Sequence, residues 1–110
     1  MTERWRIRLT GPAHRDFADI LRWTRTNFGA QQAQAYRELL LAALAALGDG
    51  PDIPGSKLRG DILQGARTLH IQRPGRHFLL YRPAEGNSLE ILRILHDAMD
   101  LARHVPSGDP

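Results

Sequence analysis

The chain has 110 residues, of which 42% are hydrophobic and 25% charged, proportions that are typical of a folded domain. A chain of this length forms one unit with a single core, so we expect one domain over residues 1–110, with a flexible tail at 105–110. No apolar run approaches the roughly 18 residues of a membrane span, and the first ten residues lack the apolar centre of a signal peptide. We therefore expect a cytoplasmic protein without membrane contact. Cysteine is absent, which excludes disulfides and thiolate metal sites.

The net charge is +3, and nearly all of the basic residues are arginines. Lys57 is the single lysine among the 15 basic residues. Arginine presents a planar fork of donors that binds carboxylates and phosphates. Nucleic acid and an acidic protein partner are both compatible with this composition, and so is a surface of solvated arginines without a binding role. The charge by itself does not decide between them.

The first predicted element is a strand over residues 4–10. Arginines on one side of it alternate with apolar side chains on the other, namely Trp5, Ile7 and Leu9. This alternation is typical of a half-buried strand, and its outward charges discourage pairing at a sheet edge.

Two helices are predicted next, over residues 13–28 and 30–47. Thr10 or Gly11 caps the first helix, and Gly29 separates it from the second. Because the connection is so short, the two helices must fold back on each other as a hairpin.

The second helix carries an excess of apolar residues at positions 39–44, where the sequence reads LLLAAL. This run is apolar on more than one side of the helix, so it is either core or covered by a partner. An amphipathic helix from a partner protein, laid across Ala33–Leu47, would bury the excess.

The remainder predicts a loop at 49–60 and three strands at 66–72, 77–82 and 88–96. The last strand is apolar on both faces, which places it in the middle of the sheet. A short helix follows, from Asp97 to Arg103 or His104. The fold class is therefore α+β, in the order β-α-α-β-β-β, with a helical hairpin packed on one face of a small, mainly antiparallel, curled sheet.

The last strand also bears on catalysis. Simple alternation places Arg93 on the side of Leu89, Ile91 and Leu95, and His96 on the side of Leu92 and Ile94. Arg93 and His96 then point to opposite faces unless the strand ends or bulges between them. This separation argues against a catalytic pair.

Short motifs run in order along the chain: Pro12, Ala13, Asp16, Ile20 and Tyr36, then 65–67 (GAR), 75–82 (GRHFLLYR), 91–96 (ILRILH), Met99, Asp100, Arg103 and His104. At these spacings they resemble the RelE/ParE superfamily of toxins, and most of all its ParE branch, over Ile7–His104. The resemblance implies the toxin of a type II toxin–antitoxin pair, neutralised by an antitoxin that wraps around the hairpin and the sheet. ParE-type members poison DNA gyrase, whereas RelE-type relatives cut messenger RNA on the ribosome.

The resemblance leaves three functions open: a non-catalytic gyrase poison, a ribosome-dependent mRNA endonuclease, and a non-toxic module that only binds an antitoxin. RelE-type nucleases rely on a cluster of lysines and arginines with a late tyrosine or histidine. This chain has one lysine and no tyrosine after Tyr81. We therefore expect a gyrase poison without catalytic residues, cofactor or metal, and without sequence-specific nucleic-acid binding.

The candidates for binding the target are the cationic residues of the sheet and the C-terminal segment: Arg67, Arg76, His77, Arg82, Arg93, His96 and Arg103. The candidates for binding an acidic antitoxin are Arg4, Arg6, Arg8, Trp23, Tyr36, Leu40, Leu41 and Leu44. Structural roles stand beside these functional ones. In these structural roles, Arg93 is a cation paired with Asp97, Asp100 or Glu90. His77 and His96 are turn or capping residues, and the leucines belong to the hydrophobic core.

Overall fold

A computed structural model describes residues 4–98. The elements in chain order are β1 (Arg6–Leu9), α1 (Gly11–Phe28), α2 (Ala30–Ala46), a 3-10 turn (Leu47–Asp49), β2 (Ser56–Leu58), β3 (Arg67–His70), β4 (His77–Ala84) and β5 (Ser88–His96). The predicted terminal helix and the tail at 105–110 extend outside the described residues. Within residues 4–98, neither helix combines the length and the apolar character that crossing a membrane would need.

The five strands form one sheet in the order β1-β5-β4-β3-β2. β1 runs parallel to β5, and the other neighbours are antiparallel. β5 therefore lies inside the sheet between β1 and β4, as its two apolar faces predicted. The α+β class and the element order are confirmed, apart from one additional strand.

That additional strand is β2, which lies within the segment predicted as a loop. It has only three residues, pairs with β3 alone, and exposes 65% of Leu58. A strand this short, without an alternating apolar pattern, has no signal in the sequence. Its pairing with β3 is what makes it extended.

The helical hairpin begins and turns where the sequence predicted. Thr10 is the N-cap of α1, since its hydroxyl accepts a hydrogen bond from the Ala13 amide at 3.2 Å. The same hydroxyl donates to the Leu92 carbonyl of β5 at 2.9 Å, which fixes the start of the helix on the sheet. Gly29, at φ 97°, supplies the left-handed backbone that separates the helices.

The main core lies between the hairpin and one face of the sheet. Leu40 and Ala43 of α2 pack there with residues of β4 and β5, namely Leu79, Tyr81, Leu89, Ile91 and Ile94. A smaller cluster of Ala66, Leu80 and Leu92 lies on the opposite face under Leu63. Burial of each leucine or isoleucine side chain in these clusters stabilises the fold by roughly 1.5–3 kcal/mol.

A β-bulge interrupts the pairing of β4 with β5. Leu80 pairs with Arg93 and Tyr81 with Ile91, so Leu92 is an extra residue without a partner in β4. The alternation shifts by one position there, and Ile94 packs with Ile91 beneath the helices while Leu92 packs on the other face. The predicted grouping of Ile94 with Leu92 is therefore wrong.

Candidate functional site

An apolar groove, called here the hairpin groove, opens between α1, α2 and the end of the sheet where β4 begins and β5 ends. Its volume is about 980 Å³. Ile20, Trp23 and Phe28 of α1 line one wall, and Leu39 of α2 lies in the other. Residues three to four apart share one face of a helix, so each helix presents a stripe of its surface to the groove.

Two aromatic side chains form the outer lip of the groove. Trp23 is 60% exposed and Phe28 63% exposed, and their ring centres lie 5.7 Å apart in an edge-to-face arrangement. Phe28 is displayed at the tip of the hairpin because α1 ends there, immediately before Gly29. Large aromatic rings exposed together are typical of a surface that binds another protein.

The inner end of the groove is polar and is built around Tyr36 of α2. Its hydroxyl accepts a hydrogen bond from the Arg76 amide at 2.9 Å and lies 2.6 Å from Nδ1 of His77. Because the amide is a donor, the hydroxyl hydrogen is left for Nδ1, and we assign the imidazole proton to Nε2. Burial raises the pKa of Tyr36. The tyrosine therefore orients the imidazole.

His77 pairs directly with His96 across the two strands, and their ring centres lie 5.2 Å apart. Burial, followed by the neighbouring His96, lowers the pKa of His77 to about 4. The imidazole is consequently uncharged at neutral pH. It is neither a cationic contact nor, with so low a pKa, an effective general base.

Asp97 joins the end of β5 to the β3–β4 turn. Its carboxylate accepts hydrogen bonds from the Arg76 guanidinium at 3.2 Å and from Nε2 of His70 at 2.9 Å. These two bonds, with that of Arg76 the stronger influence, lower the pKa of Asp97 to about 2. Arg76, which the sequence predicted to bind the target, is therefore paired with the Asp97 carboxylate in this structure.

Arg93 is held by α1. Its guanidinium donates twice to the Asp16 carboxylate, at 2.6 and 2.9 Å, and Asp16 also accepts the Ile94 amide at 2.9 Å. The expected structural role of Arg93 is present, and within residues 4–98 the carboxylate that it contacts is that of Asp16 and not that of Glu90 or Asp97. The third expected partner, Asp100, lies outside the described residues. This ion pair joins α1 to β5 at the bulge.

The side of the sheet opposite the hairpin, called here the open face, carries a row of charges. Glu90 of β5 lies between Arg8 of β1 at 3.3 Å and Arg82 of β4 at 3.5 Å. Arg6, one alternation away on β1, contacts Ser88. Arg67, by contrast, is directed toward Ser56 of β2 at 3.2 Å.

The antitoxin candidates are divided between several surfaces. Leu40 is fully buried, so its predicted partner contact is wrong for this structure, while Leu41 is 38% exposed and Leu44 half-buried. Arg4 binds Asp49 and the Ala45 carbonyl at the end of α2, and its guanidinium lies against Gly48. Of the eight antitoxin candidates, only Trp23 and Tyr36 line the hairpin groove.

Sequence reasoning assigned no role to two residues of these sites, Asp16 and Phe28. Asp16 belongs to the motif but had no assigned role, and nothing in its spacing indicates Arg93, which is 77 positions away. The remaining candidate, Arg103, lies outside the described residues. Among residues 4–98, no group of three or more histidine or acidic side chains has the geometry of a metal site.

The structure is a small α+β protein with an apolar groove on one side of its sheet and a charged face on the other, and comparison with known proteins identifies its class. Residues 7–101 match the family model described as the ParE toxin of the type II toxin–antitoxin system parDE. The chain is 33% identical over 95 residues to the toxin ParE of Escherichia coli, covering 84% of this chain and 85% of that protein. It is 29% identical over 100 residues to toxin ParE1 of Caulobacter vibrioides, covering 89% and 95% of the two chains.

Two solved structures share the fold. A chain of the chromosomal ParDE system of P. aeruginosa aligns with a TM-score of 0.71 at 20% identity, covering 86% of this chain and 98% of that one. A chain of the toxin–antitoxin complex RelBE2 from Mycobacterium tuberculosis aligns with a TM-score of 0.56 at 27% identity, covering 90% and 98%. The chain belongs to the ParE toxin family of type II toxin–antitoxin systems.

Proposed function

We propose that this protein inhibits DNA gyrase by binding to it in the cytoplasm, without catalysing a reaction itself, and that an antitoxin protein neutralises it. Membership of the ParE family supports the choice of target over the ribosome. The contact with the target involves the cationic residues of the sheet and of the C-terminal segment that includes Arg103.

The proposal that the protein acts without catalysis is supported by the positions of the candidate cations. RNA cleavage needs a base, an acid and free cations around one phosphate. In the described part of the chain these cations lie apart: Arg93 is bound by Asp16 of α1, Arg82 lies on the open face beside Glu90, and Arg67 is directed toward Ser56 of β2. Among the candidate arginines of residues 4–98, Arg76 alone lies beside the histidines, and Asp97 binds it.

The state of the histidines supports the same conclusion. A general acid or base works best with a pKa near the working pH, and burial lowers the pKa of His77 to about 4. Its Nδ1 atom is engaged by the Tyr36 hydroxyl. His77 is thus a positioned neutral donor through Nε2, which suits recognition better than proton transfer.

The hairpin groove supports the second part of the proposal. Its apolar walls and exposed aromatic lip match the apolar side of an amphipathic helix. We assign the antitoxin to this groove, with Trp23 and Phe28 as anchors and Tyr36 at the inner end. The burial of Leu40 moves the predicted contact from the whole apolar run of α2 to this narrower surface.

A supercoiling assay with purified toxin, purified gyrase and relaxed plasmid tests the target. We expect supercoiling to fall at micromolar toxin, with linear DNA released after detergent and protease treatment. Addition of the antitoxin in equimolar amount should restore supercoiling. Undiminished supercoiling would contradict the proposal, and discrete mRNA cuts found by primer extension in cells expressing the toxin would favour the endonuclease.

A further inference from the structure

The open face of the sheet brings together arginines that the sequence assigned to two different partners. Arg6 and Arg8 of β1 were predicted to meet the antitoxin, and Arg82 of β4 to meet the target. The register places Arg8, Glu90 and Arg82 in one row across three strands, with Arg6 in the next row beside Ser88. Neighbouring strands lie about 4.8 Å apart, so Arg8 and Arg82 stand roughly 10 Å apart across β5.

These arginines are held loosely. The side chain of Arg8 is 72% exposed and that of Arg82 is 43% exposed, and both contact the same carboxylate at more than 3.2 Å. Exposed ion pairs of this kind are weak, and either arginine can exchange its carboxylate for another anion. Two cations that share one carboxylate leave a positive charge on the face even when both pairs are formed.

The chemistry of the face indicates what kind of anion it meets. Stable protein interfaces have an apolar centre with large anchoring side chains. The large hydrophobic residues exposed in the described part of the chain are Trp23, Phe28, Leu41 and Leu58, and none of them belongs to β1, β4 or β5. Interfaces with nucleic acid are more polar and much more positively charged, as this face is.

We propose that Arg6, Arg8 and Arg82 bind phosphates of double-stranded DNA, so that the toxin engages gyrase together with its DNA. The biological setting rests on the proposed gyrase function, whereas the DNA contact itself does not. The contact is made to the backbone and is independent of base sequence, since the residues are presented on the face of a five-stranded sheet, which is too broad to enter a groove as a helix does.

Fluorescence anisotropy with a labelled 20-base-pair duplex, measured over a series of salt concentrations, tests this proposal. Replacing Arg8→Gln and Arg82→Gln together should weaken binding about tenfold at low salt and reduce the slope of log K against log salt by nearly 2, since each phosphate contact contributes about 0.9. The matched control, Arg22→Gln with Arg25→Gln, removes the same charge from α1 and should have little effect. A single variant, Glu90→Gln, should strengthen binding several-fold, because it frees both arginines without removing either.

Equal losses of DNA affinity in the two double variants would show that only the net charge of the protein matters, and this would overturn the proposal. Unchanged DNA affinity in the Glu90→Gln variant would also overturn it. Loss of antitoxin affinity without loss of DNA affinity in the Arg8 and Arg82 variant would assign the face to the antitoxin instead. The duplex measurement contains no gyrase. If the wild-type toxin leaves supercoiling intact but binds DNA through these arginines, the proposed target fails and this inference stands.

Discussion

The hairpin groove and the open face lie on opposite sides of the same two central strands, and they differ in chemistry. The groove is walled by Ile20, Trp23 and Leu39 and ends in an uncharged histidine. The open face presents Arg6, Arg8 and Arg82 around one carboxylate. Apolar burial depends little on salt, whereas contacts between exposed charges are screened over about 10 Å at 0.1 M salt.

This difference separates two modes of binding in one small domain. A partner in the groove gains affinity by burying aromatic surface and dissociates slowly, while a partner on the open face is attracted and released according to ionic strength. The strands β4 and β5 contribute residues to both surfaces. Asp16 and Arg93 form the joint, since this pair ties α1 to the bulge in β5.

The largest effect should follow from breaking that joint. Asp16→Ala removes the carboxylate that accepts hydrogen bonds from both the Arg93 guanidinium and the Ile94 amide, and we expect it to cost about 3 kcal/mol of unfolding free energy. Urea denaturation followed by circular dichroism measures this. The control is Asp19→Ala, which removes an exposed partner of Arg22 and should cost under about 0.5 kcal/mol. Similar costs for the two variants would show that the joint does not hold the hairpin.

Trp23 provides the test of the groove. Trp23→Ala should weaken antitoxin binding by about 2–3 kcal/mol, roughly 30- to 150-fold, because it removes the largest anchor of the lip. The control is Leu58→Ala, an equally exposed apolar residue on β2 that lies outside the groove, and it should leave affinity unchanged. Isothermal titration calorimetry gives both values. If the Leu58 variant loses as much affinity as the Trp23 variant, the antitoxin does not use the groove in the way proposed.

A smaller effect concerns pH and the inner end of the groove. The pKa of His77 is about 4 in the folded protein, against 6.5 for an ordinary histidine. The unfolded chain therefore binds the proton more readily, so stability is fullest above pH 6.5 and declines as the pH falls toward 4. Between pH 7.5 and 5 the expected decline from this half-buried group is about 1 kcal/mol, because solvent screens part of the shift.

His77→Gln removes that titration, and its unfolding free energy should fall less steeply over this interval than that of the wild-type protein. Asp97, with its pKa lowered to about 2, loses its stabilising contribution only below about pH 3.8 and so does not confuse the comparison. Urea denaturation at half-unit pH steps provides the slopes. Parallel curves for the two proteins would show that His77 is not the titrating group.

Much of the fold follows from local sequence. Thr10, Gly29 and the helical period predicted the hairpin to within a residue or two, and the apolar faces of Ser88–His96 predicted its central place in the sheet. These features depend on residues close together in the chain, where capping, glycine conformation and periodicity act. The motifs of the ParE family lie on this same framework.

Other features required the folded chain. The bulge at Leu92 reversed the alternation of β5, and β2 became extended only through its pairing with β3. Leu40 and Leu41 are adjacent and chemically identical, yet one is fully buried and the other 38% exposed. Only the packing of α2 on the sheet decides between them.

The sequence by itself thus determined the helical hairpin, four of the five strands, the class of the fold and the family. The tertiary structure decided which surfaces those elements leave for partners. It paired Arg93 with Asp16, and it placed Arg8 beside Arg82 through a carboxylate on a third strand. Asp16 and Arg93 are 77 positions apart in the chain, and Arg8 and Glu90 are 82 positions apart. At such separations local propensity carries no information, and only strand register and helix packing determine which residues come into contact.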